Sequence, residues 1–310
     1  MYIIINNKKF KEMKKIVILG ATGTVGRKIA KILLEEGKHQ VKLVARNPNK
    51  LQDFEALGAE IILGDVNDVK TLTEAFKNAD SVFLILPDNV KAENTRAYQR
   101  RVTGNYIEAI QKSGIKHIVN MSSLGSHMHE GNGMMAGTGE QEVRLNQLED
   151  VNVIHIRSAY FMENWLRTVG LVKSKGINGT AAVGEHAIPM VATQDVAKVA
   201  AAHLSNLDFT GKSVQPVMGP RNYTYTEFTK LIGKAIGQPE LPYVQIPVEQ
   251  AKQIFLGNGF SEDFVDNLLE MALAVKDGIF NYQKRDASTT SPTTAEAFIA
   301  DTYLPIYNQQ

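Results

Sequence analysis

Lys15-Ile16-Val17-Ile18-Leu19-Gly20-Ala21-Thr22-Gly23-Thr24-Val25-Gly26 is the stretch whose reading decides the fold. Ile16 to Leu19 is apolar and mostly β-branched, the composition of a buried strand. Beyond it, Val25, Ile29, Ile32 and Leu33 fall at the spacing of one helix face, and the pattern stops near Gly37. Between strand and helix stand three glycines with separate tasks. Gly20 permits a tight turn off the strand, Gly23 lets the backbone approach a diphosphate, and Gly26 lets helix and strand pack closely. The helix then aims free N–H groups and its positive dipole end at the same point. A glycine pattern alone is weak evidence, but a strand before it and a helix after it are the context a dinucleotide-binding turn requires. Gly20, Thr22, Gly23, Thr24, Val25 and Gly26 are therefore expected to hold the diphosphate of a dinucleotide.

Working outward, strands are expected at 41–45, 60–63, 81–86, 117–121 and 151–156, with helices over 71–78, 92–113 and 141–148 between them. Several of these strands are apolar on both faces, so the reading is an α/β protein, a Rossmann-type doubly wound parallel sheet covered by helices. Residues 13–160 form this core. From about Phe161 the regularity loosens. Residues 161–310 read as a smaller mixed α+β substrate or cap region, too broken for a second independent sheet, with some elements returning to the core. Helices are expected there over 164–175, 195–204, 225–237, 249–255, 262–277 and 294–303, with extended segments at 179–183 and 188–191. Residues 1–12 read as a disordered extension, with Met13 just ahead of the first convincing strand.

Composition narrows the function. Lys and Arg number 34 against 33 Asp and Glu, a net charge of +1, which argues against a phosphate-gripping nucleic-acid binder. There is no cysteine, so disulfides, thiolate nucleophiles and thiolate metal sites are excluded. No apolar run approaches a membrane span. The expectation is a cytoplasmic globular protein, monomer or homodimer, with no membrane or nucleic-acid partner.

Selection between the two nicotinamide dinucleotides falls after the second strand. An acidic residue there would hold the ribose hydroxyls of NAD. This chain has Arg46 in Ala45-Arg-Asn-Pro-Asn-Lys50, and no acidic residue until Asp53. A guanidinium suits the extra phosphate of NADP, with Lys50 or Arg27 able to join it, so NADP is favoured over NAD. Asp65 follows the third strand, where it could reach the adenine amino group while Val66 lines the ring. A helix cap is its plain alternative, and Asn67 or Asp68 fills that role at least as well. Leu86 and Pro87 end the fourth strand, where ribose and nicotinamide should pass.

In chain order come Gly20-Ala-Thr-Gly-Thr-Val-Gly-Arg27, Ala45-Arg-Asn-Pro48, Leu63-Gly-Asp-Val66, Met121-Ser-Ser-Leu-Gly125 and Arg157-Ser-Ala-Tyr-Phe-Met-Glu-Asn164. Together they resemble the NmrA-like branch of the atypical short-chain dehydrogenase/reductase superfamily. The match runs from about Met13 to the helix after Asp195, and more loosely to Gly237. The resemblance implies a nucleotide-binding core with a small C-terminal substrate region, and it adds Tyr160, Phe161, Glu163 and Asn164 near nicotinamide and substrate. That family includes NADPH-dependent quinone reductases, related small-molecule reductases, and proteins that bind NADP only to regulate partners.

The catalytic apparatus is the open question. Extended reductases commonly relay a proton through a Tyr-x-x-x-Lys pair. Here Tyr98 is followed four residues on by Val102, Tyr106 by Ile110, Tyr160 by Asn164 and Tyr223 by Glu227, and no other tyrosine has the lysine either. Members of the family often carry an imidazole or lysine just before the helix holding Glu142, where this chain has Gly139. His127 and His129 sit in a polar, glycine-rich loop expected to be flexible, where they are more often solvated than proton donors. No third ligand lies at a metal-site spacing. Ser122 and Ser123 are expected to line the cofactor rather than act as nucleophiles. Ser123, Asn164 and Trp165 are expected to border a small-molecule acceptor, with Phe255 an alternative stacking partner. Hydride transfer to a quinone-like acceptor needs no dedicated acid, since the cofactor carries the hard chemistry. The missing dyad equally suits a non-catalytic NADP-sensing protein.

Overall fold

In the computed structural model, residues 13–128 and 130–309 are described; the expected extension over residues 1–12 and the loop residue His129 lie outside them. β1 (Lys14–Leu19) feeds α1 (Thr24–Glu35), and the alternation continues through β2 (His39–Ala45), the short α2 (Gln52–Glu55), β3 (Glu60–Leu63) and α3 (Val69–Phe76). Next come β4 (Ser81–Leu84), α4 (Thr95–Ser113), β5 (His117–Ser123), α5 (Met135–Asn146) and β6 (Asn152–Ser158).

Alternation of side chains explains why helices lie on both sides. Ile16 and Ile18 of β1 join the apolar cluster shared with Val25, Ile29 and Leu33 of α1. Their neighbours Val17 and Leu19 point the other way, into the cluster with Leu72 of α3 and Val102 and Tyr106 of α4. Both faces are buried, so the strand must read as continuously apolar.

The second half contributes β7 (Tyr160–Phe161), α6 (Val169–Lys175), β8 (Asn178–Thr180), β9 (Ile188–Val191), α7 (Thr193–Asn206), β10 (Lys212–Val217), β11 (Asn222–Tyr223) and α8 (Tyr225–Ala235). β12 (Tyr243–Gln245), α9 (Val248–Gly257), α10 (Glu262–Leu273), α11 (Ala295–Phe298) and α12 (Leu304–Gln309) complete it. The main sheet has seven strands in the order β10-β6-β5-β4-β1-β2-β3, and every adjacent pair is parallel. No helix among the described residues is long and apolar enough to cross a membrane.

Three features depart from the reading of the sequence. The seventh strand, β10, was not foreseen. Its segment Lys-Ser-Val-Gln-Pro-Val is largely polar and carries Pro216, because only one side of it pairs, and an edge strand tolerates a proline. The second half also builds small sheets of its own, β11-β9-β7 and β12-β8, where none was expected. Finally, the glycine-rich loop is shorter than expected. α5 starts at Met135, so Gly137 and Gly139 are helical. A Cβ at Gly137 would lie 1.8 Å from Gln99 Oε1, and one at Gly139 would lie 2.3 Å from the Ser126 carbonyl oxygen. Close packing thus overrides the low helix propensity of glycine.

Candidate functional site

The strand order reverses between β1 and β4, whose connections leave in opposite directions and open a crevice at their C-terminal ends. Gly20 sits there with φ +68°, in the left-handed region. A Cβ on it would meet Ile85 just past β4 at 2.7 Å, and a Cβ on Gly26 would lie 2.3 Å from the Gly20 carbonyl oxygen. The Gly23 N–H donates to that carbonyl at 2.9 Å, closing the turn. α1 then begins with no side-chain cap and no acidic residue in its first turn, while Thr22, Gly23 and Thr24 are exposed. Bare N–H groups and an unopposed dipole therefore face the crevice, an arrangement that fits a diphosphate. The Tyr106 hydroxyl anchors the far wall by donating to the Ile85 carbonyl at 2.8 Å.

Arg46 leaves the end of β2 with its side chain 80% exposed, and its Nε lies 3.7 Å from Asp65 Oδ2. Arg27 is committed elsewhere: it pairs with Asp53, donates to the Lys50 carbonyl and lies over the Phe54 ring. Lys50 is exposed. Asp68 is the residue that caps α3, accepting from the Thr71 N–H at 3.1 Å. Asp65 instead accepts from the Asn67 N–H at 2.8 Å and turns toward Arg46. Val66 and Leu86 are half-buried against the same apolar cluster, and Pro87 is also half-buried.

At the other end of the crevice the chain leaves β6 through β7 and a tight helical turn, Met162–Thr168. Tyr160 and Phe161 are half-buried. Burial pushes the Tyr160 phenol up, with Tyr225, Arg167 and Asn164 pulling it back. Burial also holds the Tyr225 phenol well above its ordinary value, and that of Tyr243 at about 12. The rings cluster, Tyr160 with Tyr225 at 5.6 Å and Tyr225 with Tyr243 at 5.8 Å. The phenols are thus neutral hydrogen-bond donors at ordinary pH. Tyr225 and Tyr243 were not foreseen, because they reach the site from elements far along the chain; no local spacing marks them.

Three of the foreseen residues, Trp165, Phe255 and Glu163, sit away from the crevice. Trp165 is in the core, 1% exposed and stacked on Phe228 at 5.0 Å. Phe255 stacks on Phe260 in a separate small cluster under α9 and α10. Glu163 accepts from Lys28 Nζ of α1 at 2.6 Å and from the Thr193 N–H at 3.0 Å, so it ties two helices together rather than facing the crevice. Asn164 is half-buried beside Tyr160. Ser123 is half-buried and donates to Met135 Sδ at 3.2 Å. Ser122 is buried and donates to Glu142, whose carboxylate is clamped by Arg157 through Nε at 2.9 Å and a second nitrogen at 2.5 Å. His127 bonds through Nδ1 to the Leu124 carbonyl and lies against the Tyr282 ring, 3.8 Å between centroids. Among the described residues no group of three or more His, Asp or Glu could hold a metal ion.

A family model described as NAD(P)H-binding matches residues 20–207 of this chain. The chain is 28% identical over 266 residues to an NAD(P)H azoreductase of Xenophilus azovorans, covering 84% of this chain and 88% of that one. It is 31% identical over 161 residues to an NmrA-like family domain-containing oxidoreductase of Aspergillus hancockii, covering 49% and 48%. Among solved structures, an NADPH-dependent quinone oxidoreductase from Escherichia coli, complexed with NADPH, superposes with a TM-score of 0.78 at 23% identity, covering 93% and 99%.

Proposed function

The chain belongs to the NAD(P)H-binding family, in its NmrA-like branch of atypical short-chain dehydrogenases/reductases, and on that premise we propose that it is an NADPH-dependent reductase of flat, quinone-like small molecules. The observation that carries the reading is the uncapped start of α1 at the sheet's switch point, in a cradle that a Cβ at Gly20 or Gly26 would fill. Gly20, Thr22, Gly23, Thr24, Val25 and Gly26 would hold the diphosphate, and the exposed Arg46 the ribose phosphate that distinguishes NADP from NAD. Asp65 and Val66 would meet the adenine, with Leu86 and Pro87 along the ribose and nicotinamide. When bound, the cofactor supplies the hydride.

The chain's own residues then hold the acceptor. Tyr160, Phe161, Asn164 and Ser123 border it, and the neutral phenol of Tyr160 offers an O–H to a substrate carbonyl. The crowding at Gly139 leaves no room for an acid on that part of α5, which suits an acceptor reduced without one. Two measurements test this: titration with NADPH and NADH, and loss of NADPH absorbance with a panel of quinones, azo dyes and enones. Tighter NADPH binding and turnover of at least one acceptor class are expected. Tight cofactor binding with no turnover across the panel would overturn the reductase reading, and tighter NADH binding would overturn the cofactor assignment.

A further inference from the structure

Resting on that reductase reading, we propose that Arg167 makes the acceptor end of the crevice selective for molecules that carry an anionic group, such as a sulfonate, carboxylate or phosphate, beside the flat electrophile. The backbone geometry comes first. Met162–Thr168 is a 3-10 helix, in which side chains three apart eclipse one another. Met162, Trp165 and Thr168 occupy one such row and are 0%, 1% and 8% exposed. Asn164 and Arg167 share the next row, which runs from the half-buried Asn164 beside Tyr160 out to an exposed guanidinium. The row is held in place, because Glu163 in the same turn is gripped by Lys28 of α1 and by the N-terminus of α7.

Charge on this row is unmatched. Among the described residues the Arg167 side chain makes no hydrogen bond, and no carboxylate lies within 4.0 Å of it. Its neighbours by charge are Tyr160, a crevice wall, and Asp88, four residues beyond the end of β4. Loss of water around the Asp88 carboxyl pushes it up and Arg167 draws it down, so the two groups feel each other's charge while staying beyond 4.0 Å. Lys28, which grips the same turn, is already paired with Glu163. A planar guanidinium with five donors suits a multi-oxygen anion, and the tyrosine cluster beside it offers aromatic faces for a ring.

The test is calorimetric titration of NADP+-loaded protein with a sulfonated naphthoquinone and with its neutral parent. The sulfonated ligand is expected to bind about tenfold tighter. In Arg167→Gln the ratio between the two should fall to about one, Arg167→Lys should keep part of it, and Asp88→Asn should raise it by removing the competing carboxylate. A ratio near one in the wild type, a ratio that survives Arg167→Gln, or no binding of either ligand would each overturn the proposal. Reduction of the neutral parent by NADPH is followed separately. Turnover without charge preference ends the Arg167 proposal alone. An Arg167-dependent preference without turnover of any acceptor ends the reductase reading alone.

Discussion

Gly26 holds its place for a steric reason that a single substitution can expose. An alanine there would put its Cβ 2.3 Å from the Gly20 carbonyl oxygen, against backbone rather than a yielding side chain. Gly26→Ala should therefore lower stability by about 2 kcal/mol and weaken NAD(P)H binding at least tenfold, read from urea unfolding and cofactor titration. His155 makes a second prediction at this scale. It is 1% exposed, and burial pulls its pKa down to about 4, with Glu142 opposing and Arg157 and Lys212 adding to the fall. Its partners explain why it stays neutral. The Asn120 amide donates to Nδ1 at 3.0 Å, so the ring proton is on Nε2 and donates to Asn146 Oδ1 at 2.9 Å. Protonation would set a donor against a donor. The folded value lies below the unfolded 6.5, so the unfolded chain takes up the proton first as pH falls. The stability is complete above pH 6.5 and drains away toward pH 4, by about 3 kcal/mol. Urea unfolding between pH 7 and 4.5 should show that slope, and His155→Gln should flatten it.

Elements divide by how local their causes are. β1, the glycine turn and α1 were legible because strand composition, turn and helix spacing all lie within some twenty residues. β10 was not, since its pairing with β6 joins Lys212 to Val153 and Val217 to Ser158 across a long stretch of chain. The start of α5 was misjudged for the same kind of reason: Gly137 and Gly139 look like loop until Gln99 and Ser126 press against them. At the same end of the crevice, Tyr160, Phe161 and Asn164 came from motif resemblance, whereas Tyr225, Tyr243 and Arg167 are brought there only by tertiary packing. The period-three burial of Met162, Trp165 and Thr168 is the one signal that could have exposed Arg167. The Lys28–Glu163–Thr193 junction is likewise tertiary. Glu163→Ala would strip the N-terminus of α7 and leave the half-buried Lys28 unpaired, at a cost of about 2 kcal/mol. Glu163→Gln keeps an acceptor and should lose about half as much. Urea midpoints of the two variants check this; equal losses would show that the charge, not the cap, is what holds the junction.

For the whole molecule, one apolar cluster runs from Ile16 in β1 to Tyr303 near the C-terminus and takes in α7, α8 and α11. The region after Phe161 is therefore built into the core. Calorimetric unfolding should show a single transition, and a chain ending at Leu207 should aggregate, because it opens the β6 edge and strips away the part of that cluster from Phe209 to Tyr303. Two separate transitions, or a soluble and cooperative truncated chain, would contradict this.

The contact between Gly139 and the Ser126 carbonyl has a consequence for how this chain can change. Any side chain at that position must first push α5 away from the Ser126 backbone, so a proton donor placed there by one substitution disrupts that packing. New chemistry has to come from the other wall, where β7, the turn after it and α8 present side chains that can be exchanged one at a time. Directed evolution toward new acceptors should accumulate its substitutions on that wall and leave the glycine helix untouched.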